Sequence, residues 1–272
     1  MMKQYLLKKI PALYNLRIMQ LRLQRHILNL NPAIHYSMTR SSERLKFPIM
    51  RHQSLLRRKL GTSDPKLQEN KITNLRISSS KIDGIMIKPG ETFSFWKLVG
   101  KTTSKKGYIE GLQLSQGEVK TGIGGGVCQL ANLLFWLFLH SPLELRERYH
   151  HSFDPFPDDR RVLPFGSGAS VFYNYVDLRF YNNTESTFQI TVWLTHDHIK
   201  GSIHCNHNWP NSYHVEERGH RFIRANGKNF RENEIWRKVV DKITGNTVLH
   251  EMMIKNFSEV KYEVTQDGNS FV

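Results

Sequence analysis

The stretch that most constrains this chain is Gly122 to Leu139, GIGGGVCQLANLLFWLFL. Three glycines, Gly124, Gly125 and Gly126, lead into Val127, Cys128 and Gln129. The run that follows is apolar on nearly every face: Leu130, Ala131, Leu133, Leu134, Phe135, Trp136, Leu137, Phe138 and Leu139. Such a helix has no solvent face and must be enclosed by the rest of a domain. From Val127 to Leu139 it covers only ~20 Å at about 1.5 Å per residue. That is short of the ~30 Å hydrocarbon core of a bilayer. The fold therefore has to wrap this segment.

The pattern predicts Cys128 in the first turn of the buried helix. Unpaired backbone N–H groups and the helix dipole favour an anion there. A cysteine so placed tends towards a lowered pKa and nucleophilic thiolate character. The glycines leave room for a substrate to approach the backbone. The plain alternative is an inert cysteine packed as a small hydrophobe. A nucleophilic thiol needs a base. The His150-His151 pair follows one helix and one short segment later, and the alternative for it is an exposed loop. Asp177 stands among apolar neighbours in VFYNYVDLRF. It can orient a histidine, pair with an arginine, or face solvent on the outer side of a strand.

His196, His198, His204, Cys205 and His207 crowd together around Lys200-Gly201, which reads as a hairpin turn. The spacing matches no standard zinc motif, and His204 and Cys205 alternate in direction along a strand. An exposed, histidine-rich hairpin tip is the expectation, with no metal and no cofactor.

Charge divides the chain. Residues 1–60 carry 13 Lys/Arg and a single acid, Glu43, whereas the other 212 residues carry 26 Lys/Arg and 23 Asp/Glu. The first part is thus +12 and the rest +3. Tyr14 to Leu30 interleaves Leu16, Met19, Leu21, Leu23, Ile27 and Leu28 with Arg17, Arg22 and Arg25, as in a basic amphipathic helix. It can lie on an anionic membrane surface, meet another polyanion, or pack on the domain. No nucleic-acid motif accompanies it, and no nucleic-acid partner is expected. Two cysteines make no disulfide framework and suit a reducing compartment. MMKQYLLKKI lacks the apolar core of a secretory signal. The expected location is cytoplasmic, with peripheral attachment at the inner membrane face as an option. Gly61 to Leu67 reads as a linker. Beyond Ser170 the chain is rich in aromatic and β-branched residues separated by Asn and Gly turns.

The expected architecture is therefore α+β. A basic helical N-terminal segment (1–67) precedes a central domain (68–200), in which the cysteine-bearing helix packs on an antiparallel sheet. A small β-rich extension (201–272) follows.

The chain resembles the VanW family. The matching landmarks are Pro89-Gly90-Glu91-Thr92-Phe93-Ser94-Phe95, then Gly124-Gly125-Gly126-Val127-Cys128-Gln129, His151-Ser152, Gly166 and the strand through Asp177. The resemblance implies a link to glycopeptide resistance and peptidoglycan. For a member with L,D-transpeptidase-like activity, it implies that Cys128 attacks a stem-peptide amide to form a thioester. Cys128, His151 and Gln129 then form the catalytic group, with the N–H groups of Gly126 to Gln129 as oxyanion donors. Gly124, Gly125, Gly126, His150 and Asp177 line the substrate site. The competing implication is a non-catalytic accessory or binding protein at the cytoplasmic membrane face. Where many members read Cys-Gln-Val-Ser-Thr-Thr, this chain reads Cys128-Gln129-Leu130-Ala131-Asn132. Where they read Gly-x-Asp-Ala-Thr-Val, it has Gly166-Ser167-Gly168-Ala169-Ser170-Val171, without the acid.

Overall fold

A computed structural model describes residues 11–57, 65–115, 118–150, 153–154, 157 and 162–264. In chain order its elements are helix α1 (Pro11–Leu28), strands β1 (His35–Tyr36) and β2 (Phe47–Leu55), helix α2 (Pro65–Ile82), strands β3 (Ile85–Ile87) and β4 (Glu91–Ser94), and the short helix α3 (Phe95–Val99). The hairpin β5 (Glu110–Ser115) and β6 (Glu118–Ile123) leads into helix α4 (Cys128–Leu139). Strands β7 (Glu144–Glu147), β8 (Phe153–Asp154), β9 (Arg179–Tyr181), β10 (Phe188–Leu194) and β11 (His198–Cys205) follow, and then β12 (Asn211–Ala225), β13 (Lys228–Asp241) and β14 (Thr247–Val260). The fold is α+β.

Helix α4 is enclosed because it lies between two sheets. One has the order β2-β11-β10-β3, the other β1-β4-β9-β7. Towards the first sheet, Leu133 and Leu137 cross β11 at Gly201. A Cβ on Gly201 would sit 2.9 Å from Leu137 Cδ1 and 3.3 Å from Leu133 Cδ2. Towards the second sheet, Phe138 packs on Phe93 of β4 and Phe180 of β9, with ring centroids 5.0 and 4.3 Å apart. Phe135 also reaches Phe180. A helix covered on opposite sides has no use for a polar face, which accounts for the composition of 130–139. Helix α2 packs beside it, across β10.

Several expectations change at this level. Lys200-Gly201 is not a hairpin turn. The turn lies at His196-Asp197, closed by Thr195 N donating to His198 O at 2.8 Å. Lys200 and Gly201 instead pair with Trp193 and Val192 in mid-strand. The glycine is there to admit α4, not to reverse the chain. The N-terminal segment is not separate, because β2 completes the central sheet by antiparallel pairing with β11. The expected boundary at 200/201 likewise cuts β11, so the central sheet ends at Cys205. Part of the expected 61–67 linker lies outside the described residues, and Pro65 already opens α2. Of the strand expected from Val171 to Phe180, only Arg179–Tyr181 is regular. Phe172 and Val176 bridge each other and turn the chain.

The C-terminal strands form a long antiparallel meander, β12-β13-β14, with β8 added in parallel. Among the described residues no helix is long and apolar enough to cross a membrane.

Leu134, fully buried in α4, is a direct probe of this enclosure. Leu134→Ala is expected to lower unfolding stability by about 3 kcal/mol through lost burial plus cavity. Urea denaturation followed by circular dichroism measures it.

Candidate active site

The glycine turn is built by close packing. Gly124 and Gly126 have φ of +79° and +92°, a region that L side chains rarely adopt. Each glycine also faces a neighbour. A Cβ on Gly124 would lie 2.5 Å from Thr102 Cβ, on Gly125 2.1 Å from the Gly111 carbonyl, and on Gly126 2.1 Å from Lys71 Cγ. The turn is therefore clamped between α2 and the β5–β6 hairpin. This corrects the expectation that the glycines leave room for substrate: this chain's own atoms take that room. Asn74 of α2, fully buried, fixes the clamp. Its Nδ2 donates to Gly125 O and Ile109 O, both at 2.9 Å, and its Oδ1 accepts from Ile109 N. Lys71 lays its stem over Gly126 and donates its ammonium to Gln68 Oε1 and Leu56 O.

Val127 caps α4 without a side-chain bond. Gln129 N donates to Gly126 O and Leu130 N to Val127 O. The N–H groups of Gly126, Val127 and Cys128 have no backbone acceptor among the described residues. Unpaired backbone donors are what a helix N-terminus leaves, and that of Cys128 meets its own thiol. Gln129 N lies outside this set.

Cys128 itself is half-buried, and Cys205 is wholly enclosed. The Cys128 thiol donates to Val171 O at 3.8 Å. Burial pushes its pKa up, against the smaller lowering effect of the Val171 and Cys128 backbone bonds. This reverses the lowered pKa expected from position alone. Removal of the thiolate from water outweighs the helix N-terminus when no cation lies beside it. No imidazole lies within hydrogen-bond distance of the sulfur among the described residues. His151, the expected base, lies outside the described residues. His150 is turned elsewhere, with Nε2 3.1 Å from Phe257 O, and burial lowers its pKa.

Gln129 ties α4 to β2, donating Nε2 to Leu55 O at 2.6 Å and Ser54 Oγ at 3.0 Å. Asp177 takes none of the roles expected at a substrate site. It is fully buried and pairs with Arg179 Nε at 2.8 Å. It also accepts from Ser94 Oγ, Trp96 N and Leu178 N. Its carboxylate stitches the Pro89–Phe95 motif to β9. Ser94 in turn caps α3 by accepting from Lys97 N. The histidine group is dispersed. His196 pairs with Asp197 at the exposed turn, and His204 is buried beside Ser202. No three metal-ligating residues converge among the described residues.

The segment that covers the cysteine was not anticipated. Asn132, one turn after Cys128, accepts from Ala169 N at 2.8 Å. Arg148 donates to Gly168 O at 2.9 Å, to Gly166 O, and to Asn256 Oδ1 at 3.0 Å, and stacks 5.1 Å over Phe135. No carboxylate pairs with it among the described residues, and burial lowers its pKa to about 10. Asn256 and Asn233 reach Phe165 O, so the C-terminal meander buttresses the same segment. No spacing rule links these residues. The Asn in Cys-Gln-Leu-Ala-Asn, polar within an apolar run, was the one sequence signal.

A family model described as "VanW like protein" matches residues 70–204. The vancomycin B-type resistance protein VanW of Enterococcus faecalis is 33% identical over 199 residues, which are 73% of this chain and 72% of that protein. The chain belongs to the VanW family. The uncharacterized protein YoaR of Bacillus subtilis is 36% identical over 112 residues, 40% of this chain and 34% of that protein. No solved structure matches the chain. The VanW match ends at His204, one residue before β11 closes the central sheet. The matched span thus holds α4 and most of both sheets, without β1 and β2.

Two predictions follow from this geometry. Gly125→Ala sets a methyl against the Gly111 backbone, which cannot swing aside as a side chain does. A loss of at least ~2 kcal/mol is expected from overpacking, read from urea midpoints. Burial lowers the pKa of His140, His150 and His204. The unfolded chain therefore binds protons below the ordinary histidine value of 6.5 that the folded chain resists. Stability is complete above that pH and declines as pH falls beneath it. The urea midpoint is expected to be lower at about pH 5 than at about pH 7.

Proposed function

We propose that this VanW protein is a cysteine acyl transferase acting on peptidoglycan stem peptides. What carries the reading is one juxtaposition: Cys128 opens α4, directly after a glycine turn where the N–H groups of Gly126, Val127 and Cys128 have no backbone acceptor among the described residues. A nucleophile next to preorganised backbone donors is the arrangement that acyl transfer requires. Sγ, having given up its proton, attacks the amide carbon of one stem peptide and forms a C–S bond. The oxyanion is held by the three N–H groups. Collapse breaks the C–N bond, and the leaving amine takes a proton. A second stem-peptide amine then attacks the thioester and regenerates the thiol. His151 is the proposed base on the family resemblance.

The Cys128 pKa is raised, and the described residues place no imidazole on the sulfur. Those observations favour a second reading, an accessory protein that binds wall peptide without turning it over. The two readings separate cleanly. Purified protein is incubated with stem peptides and the products are read by mass. Turnover lost in Cys128→Ala by at least a hundredfold supports the transferase. Peptide binding without products, unchanged in Cys128→Ala, supports the accessory. For the transferase, activity is expected to rise with pH through and above the ordinary thiol value of 9.0, because burial disfavours the thiolate. A plateau already reached near neutrality contradicts that expectation.

A further inference from the structure

We propose that α1 seats the protein on an anionic lipid surface through an apolar stripe that it turns away from the domain. This surface is independent of the Cys128 chemistry.

Helix α1 has two unlike faces. Its inner face carries Tyr14, Ile18, Leu21, Arg22, Arg25 and Asn29, all partly covered. The arginines do the gripping. Arg22 Nε donates to Tyr173 O at 2.7 Å, and both Arg25 Nη groups meet the Glu147 carboxylate at 2.6 Å. Glu147 also lies 3.4 Å from Arg179 Nε, which pairs with Asp177. Arg179 returns to the N-terminal segment through Asn29 Oδ1 at 2.6 Å. The helix is thus held by a partly buried ionic network, with Arg22 and Arg25 directed inwards.

The outer face is the reverse of what a solvated helix presents. Leu16, Met19, Leu23 and Ile27 are 60–64% exposed, and Leu30 just beyond the helix is 67% exposed. Their spacing of three and four residues makes one ridge. Exposed Arg17 and His26 flank it, and the helix contains no acid. Single exposed leucines are ordinary, but an unbroken ridge of five marks a contact surface.

Charge selects the occupant. Residues 1–60 carry 13 Lys/Arg against one acid. A second copy would bring two such segments together with no acidic residue on either helix to offset them. An anionic bilayer surface accepts the ridge among its acyl chains and the flanking Arg17 guanidinium among its headgroups. Helix α1 does not qualify as a membrane span, so it lies in the interface plane.

The test uses the full chain and vesicle co-sedimentation. Wild type is expected to bind phosphatidylglycerol-containing vesicles at least tenfold more tightly than phosphatidylcholine vesicles, and less tightly in high salt. The triple variant L16Q/L23Q/I27Q, changed only on the outer face, is expected to lose at least tenfold in affinity for the anionic vesicles. Arg17→Glu, a single exposed change, is expected to lose several-fold, which keeps the proposal testable if the triple variant misfolds. Equal binding by wild type and both variants overturns it. So does equal binding to both lipids, or a solution dimer dissolved by the triple variant with no vesicle binding by wild type.

Discussion

The central domain answers above all to one constraint: α4 is apolar along 130–139 except at Asn132 and must be covered on opposite sides. The two sheets meet that demand differently. The β2-β11-β10-β3 sheet gives way at Gly201 so that Leu133 and Leu137 can seat. The β1-β4-β9-β7 sheet supplies rings, Phe93 and Phe180, against Phe138. With Leu130, Ala131 and Leu133 to Leu139 buried, the accessible residues of α4 are Cys128, Gln129 and Asn132, towards its N-terminal end. Cys128 stands there because the rest of the helix is enclosed.

The same enclosure sets the chemistry of the turn. The glycines let α2 and the β5–β6 hairpin press against the backbone, and the N–H groups of Gly126, Val127 and Cys128 have no backbone acceptor among the described residues. The enclosure also withdraws the thiol from water and raises its pKa. Under the proposed acyl transfer, the turn's unpaired donors favour a negative charge that the thiol itself resists acquiring. An anionic tetrahedral intermediate would gain from those donors more than a resting thiolate does, in keeping with binding that strengthens towards a transition state.

Charge is handled by networks at a distance from the cysteine. Asp177, Arg179, Glu147 and Arg25 form a chain that joins the Pro89–Phe95 motif, β7, β9 and α1. Removing one member would strand a partner in a poorly solvated site, which is commonly more costly than never having had the pair. The network also explains why α1 shows its apolar side outwards: its inner-face arginines are already engaged.

The sequence alone determined the buried helix, its length, its start near Cys128, the α+β class and the VanW membership. Those rest on local pattern: apolar run length, glycine spacing and a motif that is contiguous in the chain. Tertiary structure decided what those residues do. Gly201 looked like a turn because a glycine after a lysine is locally ambiguous, and only the crossing of α4 shows why it lies in mid-strand. Asp177 was open between three roles until Arg179, Ser94 and Trp96 were seen around it. The thiol's pKa depended on how much water the fold leaves beside it, and Arg148 and Asn256 are brought together across the chain with no spacing to announce them. Pattern reports which face of an element is apolar. Only the packed structure decides what lies against that face, and hence which polar groups are consumed and which remain free to act.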